Sequence, residues 1–179
     1  AHIRAATGTA TTRANCHPFS AGRFMFMHNG QVGGWGALRR RVEALIPDAL
    51  YDMRQGSTDS EAILLVAMAD GLKDDPAAAI GRTLGRLHGM MLEAGVTAAL
   101  RFTAALTDGA SIWAFRWASD DRPPTLYWRE DARGLIVVSE PIDTETADWH
   151  AIPAGHYVLA EPGETVRVAE MRVPVPAMA

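Results

Sequence analysis

The sequence predicts an α+β fold in which helices pack against antiparallel strands. Strand-like segments lie at both ends of the 179-residue chain, and helical segments lie between them. Two apolar runs flank Asp108-Gly109, which is typical of an antiparallel hairpin. Blocks of strands, then helices, then strands again indicate helices packed on antiparallel sheets. The sequence shows no internal repeat, and we expect one domain over residues 1–173 with a tail over residues 174–179.

The amino-terminal part of the chain predicts two strands separated by a loop. Residues 2–7 read as a short strand, and residues 13–22 are rich in the turn residues Asn, Pro, Ser and Gly. Residues 23–28 form the second strand candidate. This strand stops at Asn29-Gly30, because Asn-Gly favours positive φ and so predicts a tight turn.

Three helices are predicted next. Residues 37–46 carry apolar side chains at helical spacing. A second helix is expected over residues 60–72, with Asp59 or Ser57 as its N-cap. Its largely apolar sequence indicates burial on most sides. A third helix is expected over residues 76–94, where apolar side chains recur every three or four positions.

The carboxyl-terminal part of the chain predicts mainly strands. The hairpin consists of residues 102–107 and 111–117, joined by a tight turn. Further short strands are expected at residues 126–128, 135–139, 156–159 and 165–168.

The composition excludes several functional classes. The formal net charge is -4, so we expect no nucleic-acid partner, and we interpret Arg39-Arg40-Arg41 as a solvated helix face. No apolar run reaches the length of about 18 residues that a membrane span needs, so no membrane partner is expected. The single cysteine, Cys16, excludes an intrachain disulfide and fits a cytoplasmic location.

Short motifs along the chain carry the functional information. In chain order they are Arg4, Thr7, Asn15-Cys16-His17-Pro18-Phe19, His28-Asn29-Gly30 and Thr58-Asp59, then Ser139-Glu140-Pro141, Trp149 and Ile152-Pro153-Ala154-Gly155. This ordered set resembles the glutaminase domain of the class II (N-terminal nucleophile) glutamine amidotransferases. It is most similar to the small stand-alone branch that includes the γ-glutamyl hydrolase of ergothioneine biosynthesis.

The resemblance implies a fold and a reaction. The fold is the N-terminal nucleophile hydrolase αββα sandwich, with two antiparallel sheets face to face and helices outside. The reaction is hydrolysis of a γ-glutamyl amide, either glutamine or a γ-glutamyl conjugate, without a cofactor or a metal. The nucleophile of such an enzyme is a cysteine at the first position, whereas this sequence begins with Ala1. We therefore expect the N-terminal part of the fold, with the catalytic cysteine, to lie on a segment upstream of Ala1.

The resemblance also implies roles for five residues. Arg4 binds the α-carboxylate of the glutamyl group, for which a guanidinium fork is the natural bidentate partner, and Thr7 supplies a hydroxyl nearby. Asp59 pairs with the α-ammonium group. The catalytic candidates are Asn29, through its side-chain amide, and Gly30, through its backbone N–H, which together form the oxyanion hole.

Four of these residues also have a simpler local interpretation. Arg4 fits an exposed position on a strand, Asp59 fits a helix N-cap, and Asn29-Gly30 fits an ordinary turn. His28 is most simply interpreted as a hydrogen-bonding support for the oxyanion loop.

Cys16 suggests a different active site, because a lone cysteine among several histidines is typical of a Cys–His hydrolase. Its motif indicates instead a packed thiol in supporting structure. A zinc site built from Cys16, His17, His28 and Asp59 would need paired ligand spacing, which the sequence lacks.

Two hypotheses stay open beside hydrolysis with an upstream cysteine. One is a non-catalytic γ-glutamyl- or glutamine-binding module that lacks a nucleophile, and the other is a hydrolase that depends on Cys16. Both for hydrolysis with an upstream cysteine and for the non-catalytic binding module, the expected partner is a small γ-glutamyl molecule. A homo-oligomer and an acceptor-enzyme partner are both left open, since no sequence feature decides between them.

Overall fold

The computed structural model describes residues 12–132, 134–143 and 148–174. The strands are β1 (Phe19–Ala21), β2 (Phe24–Gln31), β3 (Arg101–Thr107), β4 (Ile112–Ala118), β5 (Tyr127–Asp131), β6 (Gly134–Val138), β7 (His150–Ala151), β8 (His156–Ala160) and β9 (Arg167–Glu170). The helices are α1 (Trp35–Glu43), α2 (Asp48–Tyr51), α3 (Asp59–Ala69) and α4 (Pro76–Glu93), preceded by a 3-10 helix (Arg13–Asn15).

The strands form two antiparallel sheets. The larger sheet has the order β1-β2-β3-β4-β8-β9, and the smaller sheet has the order β6-β5-β7. The predicted combination of helices with antiparallel sheets is confirmed. The predicted hairpin is confirmed as well, since β3 and β4 pair Phe102 with Trp117 and Leu106 with Trp113.

Two hydrophobic cores hold the layers together. The larger core joins the helices to one face of the six-stranded sheet. The smaller core lies between the sheets, where Ala114 and Val158 of the larger sheet meet Leu126 and Ile152 beside the smaller one. The resulting order of helices, six-stranded sheet and three-stranded sheet matches the helix–sheet–sheet part of the implied αββα sandwich.

Helix α3 is the most deeply buried element of the larger core. Every residue from Ser60 to Met68 is buried, because the helix packs against α1, α4, β1 and β2. This burial confirms the expectation drawn from its apolar sequence. The helix ends at Ala69, earlier than predicted, and the chain turns away at Gly71, where φ is 95°. No helix in the described ranges is both long and apolar enough to cross a membrane.

Strand β2 continues through the position where the sequence predicts a tight turn. Asn29 and Gly30 belong to this strand and pair with Thr103 and Phe102 of β3. The predicted turn is therefore wrong, because the hydrogen-bonded ladder with β3 outweighs the local preference of Asn-Gly. The chain reverses instead before β2, at Gly22, where φ is 59°.

Residues 172–174 cross directly over α4. Gly81 and Gly85 lie four residues apart on one side of this helix, and both are buried. A Cβ atom on Gly81 would overlap the carbonyl oxygen of Arg172, and one on Gly85 would lie 2.6 Å from the carbonyl oxygen of Pro174. The two glycines therefore permit the close approach of this segment to the helix.

We expect Gly81→Ala to lower the free energy of unfolding by about 1–3 kcal/mol, because overpacking outweighs the better helix propensity of alanine. The matched control is Gly36→Ala in α1, where a Cβ atom would meet nothing within 4 Å. That variant should be more stable by up to about 1 kcal/mol. Urea denaturation measures both changes, and a shift of the same sign in the two variants would contradict the packing described.

Candidate active site

The end of β2 and the start of α3 hold the predicted oxyanion residues and the predicted ammonium-binding residue. Asn29 and Gly30 lie near the end of β2, and Asp59 is the first residue of α3. The backbone N–H of Val32 donates a hydrogen bond of 2.9 Å to Asp59 Oδ2 and ties the two elements together. Two further predicted substrate-binding residues lie outside the described residues: Arg4 and Thr7.

Gly30 occupies a position that excludes any side chain. Its φ is 152°, in the region that favours glycine. A Cβ atom here would overlap the carbonyl oxygen of Arg101 and would lie 2.7 Å from His28 Nε2. Packing against Arg101 and His28 therefore requires glycine at this position. The other side of the residue is exposed.

Asn29 is exposed and lies on the opposite face of the sheet from His28, since successive strand residues alternate. Within the described residues its side-chain amide makes no hydrogen bond. The same face carries Thr103, its partner on β3, and Arg116, the partner of Thr103 on β4. The amide is thus available to a ligand on the side of the sheet that faces the three-stranded sheet.

His28 supports the strand end from below. Its Nδ1 lies 2.9 Å from Ser60 Oγ on α3, and its Nε2 lies 3.3 Å from the carbonyl oxygen of Arg101 on β3. One tautomer satisfies both contacts: Nε2–H donates to Arg101, and Nδ1 accepts the Ser60 hydroxyl. The ring also stacks on Phe102, with centroids 5.2 Å apart. These contacts agree with the supporting role expected for His28.

Asp59 is not the N-cap of α3, and neither is Ser57. The N-cap is Thr58, whose Oγ1 accepts a hydrogen bond of 3.2 Å from the N–H of Glu61. Asp59 stands one position inside the helix, where the helix dipole favours a carboxylate. Its oxygens accept hydrogen bonds from the N–H groups of Val32 and Ser60. A carboxylate has about four acceptor positions, so Asp59 can still bind a cationic group.

Comparison with known proteins decides the family. A family model described as "Glutamine amidotransferases class-II" matches residues 1–122, more than half of the chain. The chain belongs to the class II glutamine amidotransferases. The family named from the sequence motifs is thereby confirmed.

Relatives of this class II amidotransferase chain include proteins of known sequence and structure. The probable glutamine amidotransferase DUG3 of Saccharomyces cerevisiae is 29% identical over 194 aligned positions, which cover 86% of this chain. They cover 54% of that protein, so this chain spans about half the length of this relative.

Two solved structures share the fold. The glutamine aminotransferase class-II domain protein of Silicibacter pomeroyi has a TM-score of 0.85 at 38% identity, covering 91% of this chain and 74% of its own. Glutamine phosphoribosylpyrophosphate amidotransferase of B. subtilis has a TM-score of 0.62 at 16% identity, covering 97% of this chain and 35% of its own. The fold class implied by the motifs is confirmed by these similarities.

Two residues of this amidotransferase chain hold the loop before α3 in ways that its periodicity does not predict. The side chain of Asn15 accepts a hydrogen bond of 2.8 Å from the N–H of Ser57. The indole of Trp35 donates a hydrogen bond of 3.2 Å to the carbonyl oxygen of the same serine. Asn15 was visible in the sequence as the first residue of its motif, whereas nothing local marked Trp35 as a partner of this loop.

A second loop is attached to the sheet face that carries Asn29. Thr103 Oγ1 donates to the carbonyl oxygen of Pro124 at 3.1 Å, and Arg116 Nε donates to the same oxygen at 2.9 Å. Arg101 forms an ion pair of 2.7 Å with Asp120 of this loop. In the amidotransferase chain this loop therefore lies beside the row formed by Asn29, Thr103 and Arg116.

Cys16 does not have the packed position that its motif predicts. It is exposed at the end of the 3-10 helix, and its thiol donates a hydrogen bond of 3.4 Å to the carbonyl oxygen of Thr12. Within the described ranges no group of three or more His, Cys, Asp and Glu residues could hold a metal ion. The structure therefore does not bring together the four zinc ligands considered from the sequence, which are Cys16, His17, His28 and Asp59.

Glu43, at the end of α1, accepts hydrogen bonds from two arginines of the class II domain. Arg54 Nη2 and Arg39 Nε lie 2.8 and 2.9 Å from its Oε1. Burial alone would raise the pKa of Glu43, but the hydrogen bonds from Arg54 and Arg39 outweigh burial and lower the pKa below its ordinary value.

The lowered pKa of Glu43 predicts a pH-dependent contribution to stability. A carboxyl with a lowered folded-state pKa stabilises the fold above its ordinary pKa of 4.5, and this stabilisation is lost as the pH falls through the folded-state pKa. Glu43→Gln should therefore be destabilising at about pH 7 and much less so at about pH 3. Urea denaturation at both pH values, with Glu93→Gln as the exposed control, measures the difference. A destabilisation that stays constant over this range would contradict the ion-pair assignment.

Proposed function

We propose that this protein hydrolyses γ-glutamyl amides, either glutamine or a γ-glutamyl conjugate, through a thioester on an N-terminal cysteine that precedes residue 1. The observation that carries the proposal is the 2.9 Å hydrogen bond from the N–H of Val32 to Asp59 Oδ2. It ties the strand with the oxyanion candidates Asn29 and Gly30 to the carboxylate that would bind the substrate ammonium. Membership of the class II glutamine amidotransferases supports the same reaction.

In the proposed mechanism the glutamyl end of the substrate is held by charge. Arg4 binds the α-carboxylate through two parallel N–H donors, and the hydroxyl of Thr7 assists. Asp59 binds the α-ammonium group. These contacts place the amide carbonyl carbon against the cysteine sulfur, and positioning of this kind removes much of the entropic barrier to attack.

The chemistry then proceeds in two steps. The free α-amino group of the N-terminal cysteine takes the thiol proton, and the thiolate attacks the amide carbonyl. The oxygen becomes an anion that accepts hydrogen bonds from the side-chain amide of Asn29 and the N–H of Gly30. The C–N bond breaks, the leaving amine receives the proton, and a γ-glutamyl thioester remains. Water then attacks the thioester, and glutamate and the free thiol are released.

The finer assignments belong to the same proposal. We place the protein in the small stand-alone branch of the family because Ser139-Glu140-Pro141 and Ile152-Pro153-Ala154-Gly155 resemble that branch. We also propose a single domain over residues 1–173, release of the amine to water, and a cytoplasmic location. The last of these rests on the absence of any disulfide partner for Cys16 in this sequence.

The proposal is tested by glutamate release from L-glutamine by the natural full-length protein. We expect turnover, and we expect Cys16→Ser to turn over at the wild-type rate, because Cys16 is exposed and its thiol donates a hydrogen bond to a nearby carbonyl oxygen, that of Thr12. Loss of activity in Cys16→Ser would favour the Cys16-dependent hydrolase instead. Binding of L-glutamate without turnover would favour the non-catalytic binding module.

A further inference from the structure

Glu61, in the first turn of α3, is 6% exposed although it carries a carboxylate. In a capping box this side chain would return to the N–H of the N-cap residue, Thr58. It reaches further back instead. Its Oε1 accepts the N–H of Gln55 at 2.9 Å, and its Oε2 accepts the N–H of Gly56 at 2.8 Å. Glu61 therefore holds the loop that leads into the helix.

Arg54 neutralises Glu61 and anchors it to a second helix. The side chain of Arg54 is 4% exposed, and its Nη1 donates to Glu61 Oε2 at 2.6 Å. Its Nη2 donates to Glu43 Oε1 on α1 at 2.8 Å. A buried charge that loses its partner is strongly destabilising, so this arginine and the two carboxylates hold one another in place. The loop over residues 54–56 is thereby fixed between α1 and α3.

The packing at Gly56 shows how closely the loop is held. A Cβ atom at Gly56 would lie 2.5 Å from Asn15 Oδ1 and 3.0 Å from Glu61 Oε2. The residue is thus enclosed between the segment before β1 and the carboxylate of Glu61. The loop can therefore move little at Gly56 while Asn15 and Glu61 stay in contact with it.

Asp59 follows this loop by three residues and depends on it for position. Its carboxylate accepts a hydrogen bond from the N–H of Val32. The chain that leads to it is fixed at Gly56, whose N–H donates to Glu61, and at Ser57, whose N–H donates to Asn15. A charged binding group is selective only if it is held within about 0.5 Å of the geometry that suits its ligand. Glu61 fixes the loop, and the loop fixes Asp59.

We propose that Glu61, neutralised by Arg54, is a positioning residue that makes the site selective for glutamyl ligands with an α-ammonium group. The inference rests on the proposed function, in which Asp59 binds that group. Glu61 does not touch the ligand. The strand that carries Asn29 and Gly30 is paired with β3 along its length, so we expect the effect to fall on recognition of the ammonium group.

The test compares the binding of L-glutamate with that of glutarate, which lacks the ammonium group, by titration calorimetry of the natural full-length protein. Wild type should bind L-glutamate more tightly. In Glu61→Gln and in Arg54→Lys the ratio of the two dissociation constants should fall by about tenfold or more, as expected when a charged hydrogen bond is lost. Glu93→Gln and Arg41→Lys make the same chemical changes in an exposed surface pair and should leave the ratio unchanged.

The outcomes separate the inference from the proposed function. An equal loss of affinity for both ligands would overturn the inference, because it would assign Glu61 and Arg54 to general stability. Failure of both variants to fold, monitored by circular dichroism, would overturn it for the same reason; if one variant folds, its ratio decides. A wild-type protein that binds neither ligand would contradict the proposed function itself.

Discussion

Asn29→Ala is expected to lower kcat for γ-glutamyl amide hydrolysis by about 10²- to 10³-fold, the usual effect of removing one oxyanion donor. The carbonyl oxygen of the substrate amide acquires its full negative charge only on the way to the tetrahedral intermediate. The Asn29 amide therefore contributes little to substrate binding, and KM should change little. The fold should be unaffected, since Asn29 is exposed and its side chain makes no hydrogen bond within the described ranges. Steady-state kinetics on the natural full-length protein measures kcat and KM separately.

The control for this variant is Met25→Ala on the same strand. Met25 is 47% exposed and lies on the same face of β2 as Asn29, four residues earlier. Its truncation should leave kcat near the wild-type value. Two variants with similar losses of kcat would show that the exposed face of β2 matters as a whole, and would contradict a specific role for the Asn29 amide.

Gly30→Ala is expected to affect both stability and catalysis. The added Cβ atom would overlap the carbonyl oxygen of Arg101 and would lie 2.7 Å from His28 Nε2, and the backbone φ of 152° is itself unfavourable for alanine. Together these effects should lower the free energy of unfolding by about 3 kcal/mol or more. Any shift of the strand that relieves the overlap also moves the N–H proposed to bind the oxyanion, so kcat should fall as well.

Gly22→Ala separates the two causes of this destabilisation. Gly22 has a positive φ of 59°, but a Cβ atom there would meet nothing within 4 Å. The cost should therefore be only that of the backbone conformation, about 1–2 kcal/mol, with kcat unchanged. Urea denaturation compares the two variants. Equal destabilisation at the two glycines would show that packing against Arg101 and His28 contributes nothing.

The sequence predicts the parts of the fold that depend on periodicity and on strong turn signals. The hairpin of β3 and β4 and the burial of α3 follow from local patterns of apolar residues, and both are present. The turn at Asn29-Gly30 is absent for a non-local reason. Of the two residues only Gly30 has a positive φ, and it lies inside a strand whose register is set by pairing with β3.

The site was only partly predictable for the same reason. The sequence predicts Asp59 or Ser57 as the N-cap, whereas the N-cap is Thr58, which has the capping-box spacing to Glu61. The departure of Glu61 from that motif is not predictable from local sequence, because its partner Arg54 is held between Glu61 and Glu43 of α1. Cys16 was misplaced because a motif gives no measure of exposure, and its position at the end of the 3-10 helix leaves the thiol in solvent.

In the proposed mechanism the γ-glutamyl group passes through a thioester on an N-terminal cysteine, and Cys16 takes no part. The most direct measurement is the mass of the peptides obtained after acid quench of the natural full-length protein during turnover of L-glutamine. A γ-glutamyl adduct on the N-terminal cysteine, with the Cys16 peptide unmodified, is the predicted result. An adduct on Cys16, or undiminished glutamate release after replacement of the N-terminal cysteine by alanine, would contradict it.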